Sequence, residues 1–240
     1  MAIKRTVIVT GASQGIGAAV VQAFLDRGYN VVGNSRSFAR SGFVPSANLA
    51  LVEGDIGLAE TAEKIAQTAI EKFGSIDHLI SNAGIFFAKP FTEYTPEEFR
   101  SLVSTNLLGF IFIAQLTVKQ ILAQGTGGSV TSISAALATN PIAGVTASIP
   151  MITKGGLNAI ILSLASEYAT SNIRFNTVAP GVVDTPLHTE TPKDFMKSLS
   201  PMGTVSEAKD IADAVVYLTE ARYATGEVLH VDGGAHAGRW

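Results

Sequence analysis

No cysteine occurs among the 240 residues, which excludes disulfides, thiolate nucleophiles and cysteine-ligated zinc. Charge is also scarce. Only 15% of residues are charged, 17 basic side chains stand against 20 acidic ones, and the net charge is −3 with a pI near 5.8. Such a balance leaves no basic footprint for nucleic acid. Residues 120 to 153 carry no charged side chain, yet Gly125, Gly127, Gly128, Pro141, Gly144 and Pro150 interrupt them among many Ser and Thr. The stretch is therefore not read as a membrane span. Met1 to Arg5 leads straight into an apolar run without a signal-peptide pattern. A cytoplasmic protein without membrane, nucleic-acid or metal partners is expected.

What the chain does have is apolar bulk, 47% of its residues, enough for one large core. At this length an α/β domain buries about 70–75% of its unfolded surface. Apolar runs alternate with amphipathic stretches, which predicts a single domain over 1–240, a doubly wound parallel sheet of about seven strands with helices on both faces. Strands are expected at Thr6–Val9, Asn30–Gly33, Leu49–Val52, Ile76–Ile80, Gly128–Ile133, Ile173–Val178 and Val228–Val231. Ala62, Ile65, Ala66, Ala69, Ile70 and Phe73 repeat at helical spacing before Gly74. Thr95-Pro-Glu-Glu98 reads as a capping box opening a helix to about Ala123. That helix is apolar on most sides, which asks for a second neighbour beyond the sheet and points to a homo-oligomer, a dimer or tetramer. A further helix is expected over 151–170, and another from a Ser206 cap to Leu218. Residues 186 to 203, with Pro186, Pro192 and Pro201, read as a mobile substrate loop.

The most informative segment is Thr10-Gly-Ala-Ser-Gln-Gly-Ile-Gly17, placed between the first strand and the first helix. In that context glycine has a purpose. Gly11 takes the tight turn, Gly15 lets backbone approach a pyrophosphate, and Gly17 lets the helix pack close to the sheet. Free amides at the helix N-terminus, around Ser13, Gln14 and Ile16, then hold the anion. A dinucleotide site is expected here.

The chain resembles the short-chain dehydrogenase/reductase family along essentially all its length. Besides the glycine run it carries Gly54-Asp55-Ile56, Ser81-Asn82-Ala83-Gly84, Asn106, Lys154, Pro180-Gly181-Val-Val183-Asp-Thr185, Thr225-Gly226 and Val231-Asp232-Gly233-Gly234. The family usually has Asn-Asn-Ala-Gly where this chain has Ser81 to Gly84. The resemblance implies that Asp55 accepts from the adenine amino group beside Ile56, or else caps its own loop. It implies that Asn82, Ala83 and Gly84 pass under the adenosine ribose, and that Pro180, Gly181, Val183 and Thr185 frame the nicotinamide carboxamide. At the end of strand two stand Ser35 and Arg36, with no acid. An acid there would bind a ribose 2′-hydroxyl, whereas a guanidinium suits a 2′-phosphate. NADP(H) is therefore favoured, with NAD(H) the alternative and a solvated Arg36 the bland reading.

The chemistry of the family needs a tyrosine four residues before the lysine. That position holds Pro150, and no other lysine has a tyrosine at this spacing. Ala135 falls where the catalytic serine belongs, with Ser134 beside it as substitute or as a plain turn hydroxyl. Asn106, Lys154 and Ser134 are the candidate catalytic residues. Lys154 is also expected on the nicotinamide ribose. Ser148 is read as a helix cap, and His188 as a loop histidine able to donate a proton but facing solvent. Three functions stay open. One is a reductase or dehydrogenase of atypical site acting on a small, largely apolar carbonyl, enone or imine. The others are a silent cofactor-binding partner and a non-redox enzyme on the same scaffold.

Overall fold

The computed structural model describes residues 4–238, so Met1 to Ile3 of the N-terminal reading lie outside the described residues. The order is β1 (Thr6–Thr10), α1 (Gly15–Asp26), β2 (Asn30–Ser35), β3 (Leu49–Glu53), α2 (Ala59–Phe73) and β4 (His78–Ser81) in the first half. There follow α3 (Pro96–Leu102), α4 (Gly109–Gln124), β5 (Gly128–Ile133), α5 (Ser148–Glu167) and β6 (Ile173–Pro180). The chain ends with β7 (Val183–Asp184), α6 (Lys193–Ser198), β8 (Ser206–Glu207), α7 (Ala208–Glu220) and β9 (Val228–Val231). Seven strands form one parallel sheet in the order β3-β2-β1-β4-β5-β6-β9.

Every residue of β1 is buried, which is why it reads as a continuous rather than alternating apolar run. One core packs α2, α4 and α5 on one face around Ile8, Phe110 and Phe175. The other packs α1 and α7 on the opposite face around Val9, Phe24 and Val178. Strand order reverses between β1 and β4. In such sheets the ligand crevice lies beyond the carboxyl ends at that reversal, where the glycine turn leaves β1.

Several boundaries differ from expectation. The helix opened by Thr95 has its capping box, but Val103–Leu108 winds as a π-helix between α3 and α4. Such turns break the side-chain register of an α-helix and often mark functional positions. Ser148 is the first residue of α5 and makes no cap. Glu207, not Ser206, caps α7, bonding reciprocally with Asp210. Ser206 instead gives its hydroxyl to the Val182 carbonyl at 3.0 Å and pairs β8 with β7 in a second, two-stranded sheet. The segment after Thr185 is not wholly irregular: it contains a 3₁₀ turn at Pro186–His188 and α6.

Candidate functional site

One cavity of about 590 Å³ runs along the carboxyl ends of the strands, within the range of about 300–1,000 Å³ usual for ligand pockets. Its floor is the glycine turn. Gly11 has φ +66 and Gly15 φ +54, conformations that only glycine adopts easily. A Cβ on Gly11 would lie 2.8 Å from the Asn82 amide nitrogen, and one on Gly17 would run into the Gly11 carbonyl and the same nitrogen. Gly17 thus lets α1 close on the turn and on the end of β4, rather than on the sheet at large.

Thr10, which sequence reasoning passed over, locks that junction. Its hydroxyl oxygen accepts from the backbone amides of Asn82 at 3.1 Å and Ala83 at 3.0 Å. Asn82 returns its side-chain amide to the carbonyls of Thr10 at 3.0 Å and Gly11 at 3.1 Å. A threonine just before the glycine run was the available signal. Meanwhile α1 begins with no side-chain cap and no acidic residue in its first turn. Its N-terminal amides are left for an external anion, and the helix dipole favours one there.

Along one wall lie Ser13, Gln14, Ile16, Ser35, Arg36, Asp55 and Ile56. The Ser13 and Ser35 hydroxyls bond at 2.8 Å. Arg36 is exposed and makes no ion pair among the described residues. One oxygen of Asp55, Oδ1, accepts from the Gly57 amide at 2.9 Å, so the loop-capping reading holds for that oxygen and leaves Oδ2 for another donor. Asn34, also unforeseen, ties β2 to β3 by donating to the Val52 and Gly54 carbonyls.

The opposite wall carries Ala83, Gly84, Ser134, Lys154, Pro180, Gly181, Val183 and Thr185. Lys154 is buried, and its ammonium donates to the Ile133 carbonyl at 2.9 Å. Desolvation pulls its pKa down to about 8. A Cβ on Gly84 would lie 3.3 Å from both the Lys154 Nζ and the Asn106 Oδ1. Gly84 is thus the gap through which the lysine reaches the cavity.

Asn106 sits in the π-helix, buried, and does not line the cavity. It accepts from the Ile85 amide at 2.9 Å and donates to the Ile85 carbonyl at 3.0 Å and to the Thr153 hydroxyl oxygen at 2.9 Å. Thr153 in turn donates to the Pro150 carbonyl at 2.8 Å. Asn106 is therefore a clamp between the strand-four loop and α5, with its donors and acceptor committed to protein. Ser134 is buried and gives its hydroxyl to the Lys154 carbonyl at 3.4 Å. It reaches across to α5, so neither the free catalytic hydroxyl nor the simple turn reading describes it.

Pro150 is buried in the first turn of α5 and is not part of the cavity wall. The substrate end is walled instead by Phe86, Leu137, Ile142, Val145, Leu187 and Leu199, with Asn140 and His188 as its polar groups. His188 is half-buried on this wall, which corrects its reading as a solvent-facing loop residue. Burial lowers its pKa below the ordinary imidazole value. No group of three or more metal-ligating side chains occurs among the described residues.

Comparisons with known proteins fit this geometry. The sequence model of the Enoyl-(Acyl carrier protein) reductase family matches residues 11–236. An L-rhamnose-1-dehydrogenase of Scheffersomyces stipitis is 34% identical, over 96% of this chain and 95% of its own length. The crystal structure of a 3-ketoacyl-(acyl-carrier-protein) reductase from Brucella melitensis complexed with NADH superposes with a TM-score of 0.91 at 27% identity, covering 98% of this chain and 100% of that one. The structure of ElxO with NADP bound gives 0.89 at 27% identity, with coverage of 98% and 100%.

Proposed function

The chain belongs to the short-chain dehydrogenase/reductase family of NAD(P)-dependent oxidoreductases, and from that premise we propose that it moves hydride between NADP(H) and a small, largely apolar carbonyl, enone or imine without a catalytic tyrosine. The observation that carries this reading is a pairing. The uncapped α1, its glycine turn and Lys154 face one cavity, while the position one helical turn before Lys154 is a buried proline.

When bound, a nicotinamide supplies or removes the hydride. The residues present fit such a group. The N-terminal amides of α1 hold the pyrophosphate. Asp55 would accept from the adenine amino group, and Arg36 would pair with a 2′-phosphate through charge-assisted bonds. Lys154 keeps N–H bonds beyond its bond to Ile133 for the ribose hydroxyls, while Val183 and Thr185 frame the carboxamide. The apolar side chains at the substrate end exclude water and favour a substrate with little charge. An iminium accepts hydride without a proton, and a carbonyl or conjugated enone can take its proton from a group other than tyrosine, so such substrates suit this site.

A homo-oligomer, cytoplasmic and without membrane or nucleic-acid partner, completes the proposal. Leu108 and Leu122 near α4 and Ile152 and Leu162 on α5 are exposed apolar side chains that a second copy would cover. The two stretches long and apolar enough to cross a membrane, Pro96–Gln124 and Ser148–Glu167, each bury side chains in the core of this fold, which supports a soluble protein. Fluorescence titration with NADPH tests the cofactor reading. Saturable binding below about 100 µM, the weak end of usual Michaelis constants, is expected. No saturation at that concentration overturns it.

A further inference from the structure

A site without tyrosine needs another carrier for the substrate proton, and the cavity offers one imidazole. His188 ends the 3₁₀ turn that follows Thr185, and three bonds fix that turn. The His188 amide donates to the Thr185 carbonyl at 2.9 Å, the Thr189 hydroxyl to the Pro186 carbonyl at 2.7 Å, and the Thr191 amide to the His188 carbonyl at 3.0 Å. Pro186 presets φ at the start of the turn. His188 is thereby held next to Thr185, the residue assigned to the nicotinamide carboxamide.

The other histidines are engaged. His78 Nδ1 bonds Ser129, His236 Nδ1 bonds Asp232, and His230 Nε2 lies 3.4 Å from the Thr139 hydroxyl. His188 has no ring partner among the described residues and lines the cavity half-buried. The remaining ionisable groups on the wall are Arg36, Asp55 and Lys154. A guanidinium does not release its proton, Asp55 serves the adenine end, and the Lys154 ammonium, bonded to the Ile133 carbonyl, is assigned with its remaining N–H groups to the nicotinamide ribose.

We propose that His188 is a catalytic residue, carrying the proton that the family's tyrosine would carry. This rests on the hydride-transfer reading above. In reduction of a carbonyl, an imidazolium N–H bond breaks and an O–H bond forms on the substrate oxygen, as the carbonyl carbon gains a hydride from the reduced cofactor. The C=O π pair becomes the new O–H bond, the substrate is reduced and the cofactor oxidised. The neutral imidazole regains its proton from solvent through its exposed side. Oxidation of the alcohol runs the same steps backwards.

Charged groups on the adjoining segments are Asp184 of β7, Glu190, and Lys193, Asp194 and Lys197 of α6, with Lys193 and Asp184 paired at 3.8 Å. Burial lowers the imidazole pKa. The reducing direction therefore weakens as pH rises through that lowered value, and the oxidising direction strengthens.

The test is NMR titration of the histidine ring protons in the full chain, in its NADP⁺ and NADPH complexes, with His188→Gln identifying the resonance. The His188 midpoint is expected at lower pH in the NADP⁺ complex, by about half a unit or more, because a cationic nicotinamide ring beside it disfavours imidazolium. Equal midpoints overturn the proposal while leaving the cofactor reading intact; failure of both cofactors to bind overturns the two together. With cyclohexenone and NADPH as probe, His188→Gln is expected to lower kcat at least tenfold and abolish the alkaline fall of the profile without changing the NADPH Kd. An unaltered profile contradicts the assignment.

Discussion

The two ends of the cavity are built differently. At the glycine end, contacts are made largely by backbone: the Asn82 and Ala83 amides and the Thr10 and Gly11 carbonyls are joined through only the Thr10 and Asn82 side chains, and Gly11 and Gly17 leave no room for a Cβ. Toward the substrate end, geometry depends on single side chains, as Asn106 behind the cavity joins Ile85 to Thr153 of α5. A turn made mostly of backbone survives side-chain changes at the other end of the cavity. A proton carrier is one side chain; Pro150 at the family's tyrosine position leaves the helix undisturbed, since the first turn tolerates a residue lacking N–H, and the task passes to another side chain, His188 in the proposal above. Cofactor binding and proton transfer are therefore separable here, and mutations at the two ends should separate them.

The largest effect is expected from Gly17→Val. Its side chain would collide with the Gly11 carbonyl and the Asn82 amide, and NADPH should bind at least about 100-fold more weakly, roughly 3 kcal/mol. Fluorescence titration reads this, with circular dichroism to confirm folding. A Kd within threefold of native would break the glycine side of the comparison.

Lys154 gives a pH signature of similar size. Burial pulls its folded pKa to about 8, below the ordinary lysine value of 10.5. Below about pH 8 both states hold the proton and the folded state bears the whole burial penalty. Between 8 and 10.5 the folded chain sheds the proton while the unfolded chain keeps it, so this residue's contribution to stability rises with pH by up to about 3 kcal/mol. In urea unfolding, native stability relative to Lys154→Met should climb across that window. Parallel curves would contradict the burial.

Asn106→Ala comes next. It strands the Ile85 amide and carbonyl and should cost about 2 kcal/mol of stability, with the NADPH Kd changed only a few-fold. Loss of cofactor binding as large as at Gly17 would merge the two ends. The smallest effect is at the exposed Arg36, where Arg36→Leu should weaken NADPH about tenfold and leave NADH unchanged; equal losses for both cofactors would remove its role in choosing between them.

The same contrast explains what the sequence disclosed. The seven strands, the amphipathic α2 closed by Gly74 and the Thr95 capping box follow from local patterns, and they appear as expected. So does the strand-turn-helix context of the glycine run. The π-helix carrying Asn106 was not legible, because it adds one residue to a turn without any change in composition. The caps at Ser148 and Ser206 were misplaced by one residue, since serine is a good cap wherever it falls and tertiary pairing decides. His188 was misjudged because orientation toward a cavity depends on how the 3₁₀ turn after Thr185 packs, which spacing does not encode.

The most direct test of the central claim is steady-state reduction of a simple ketone at saturating NADPH, native protein beside Pro150→Tyr. The native rate is expected well below about 10 per second, a typical turnover, and at least tenfold higher in the variant at an unchanged NADPH Kd. A native protein already turning over simple ketones at about 10 per second would contradict the separation of cofactor binding from tyrosine-dependent proton transfer.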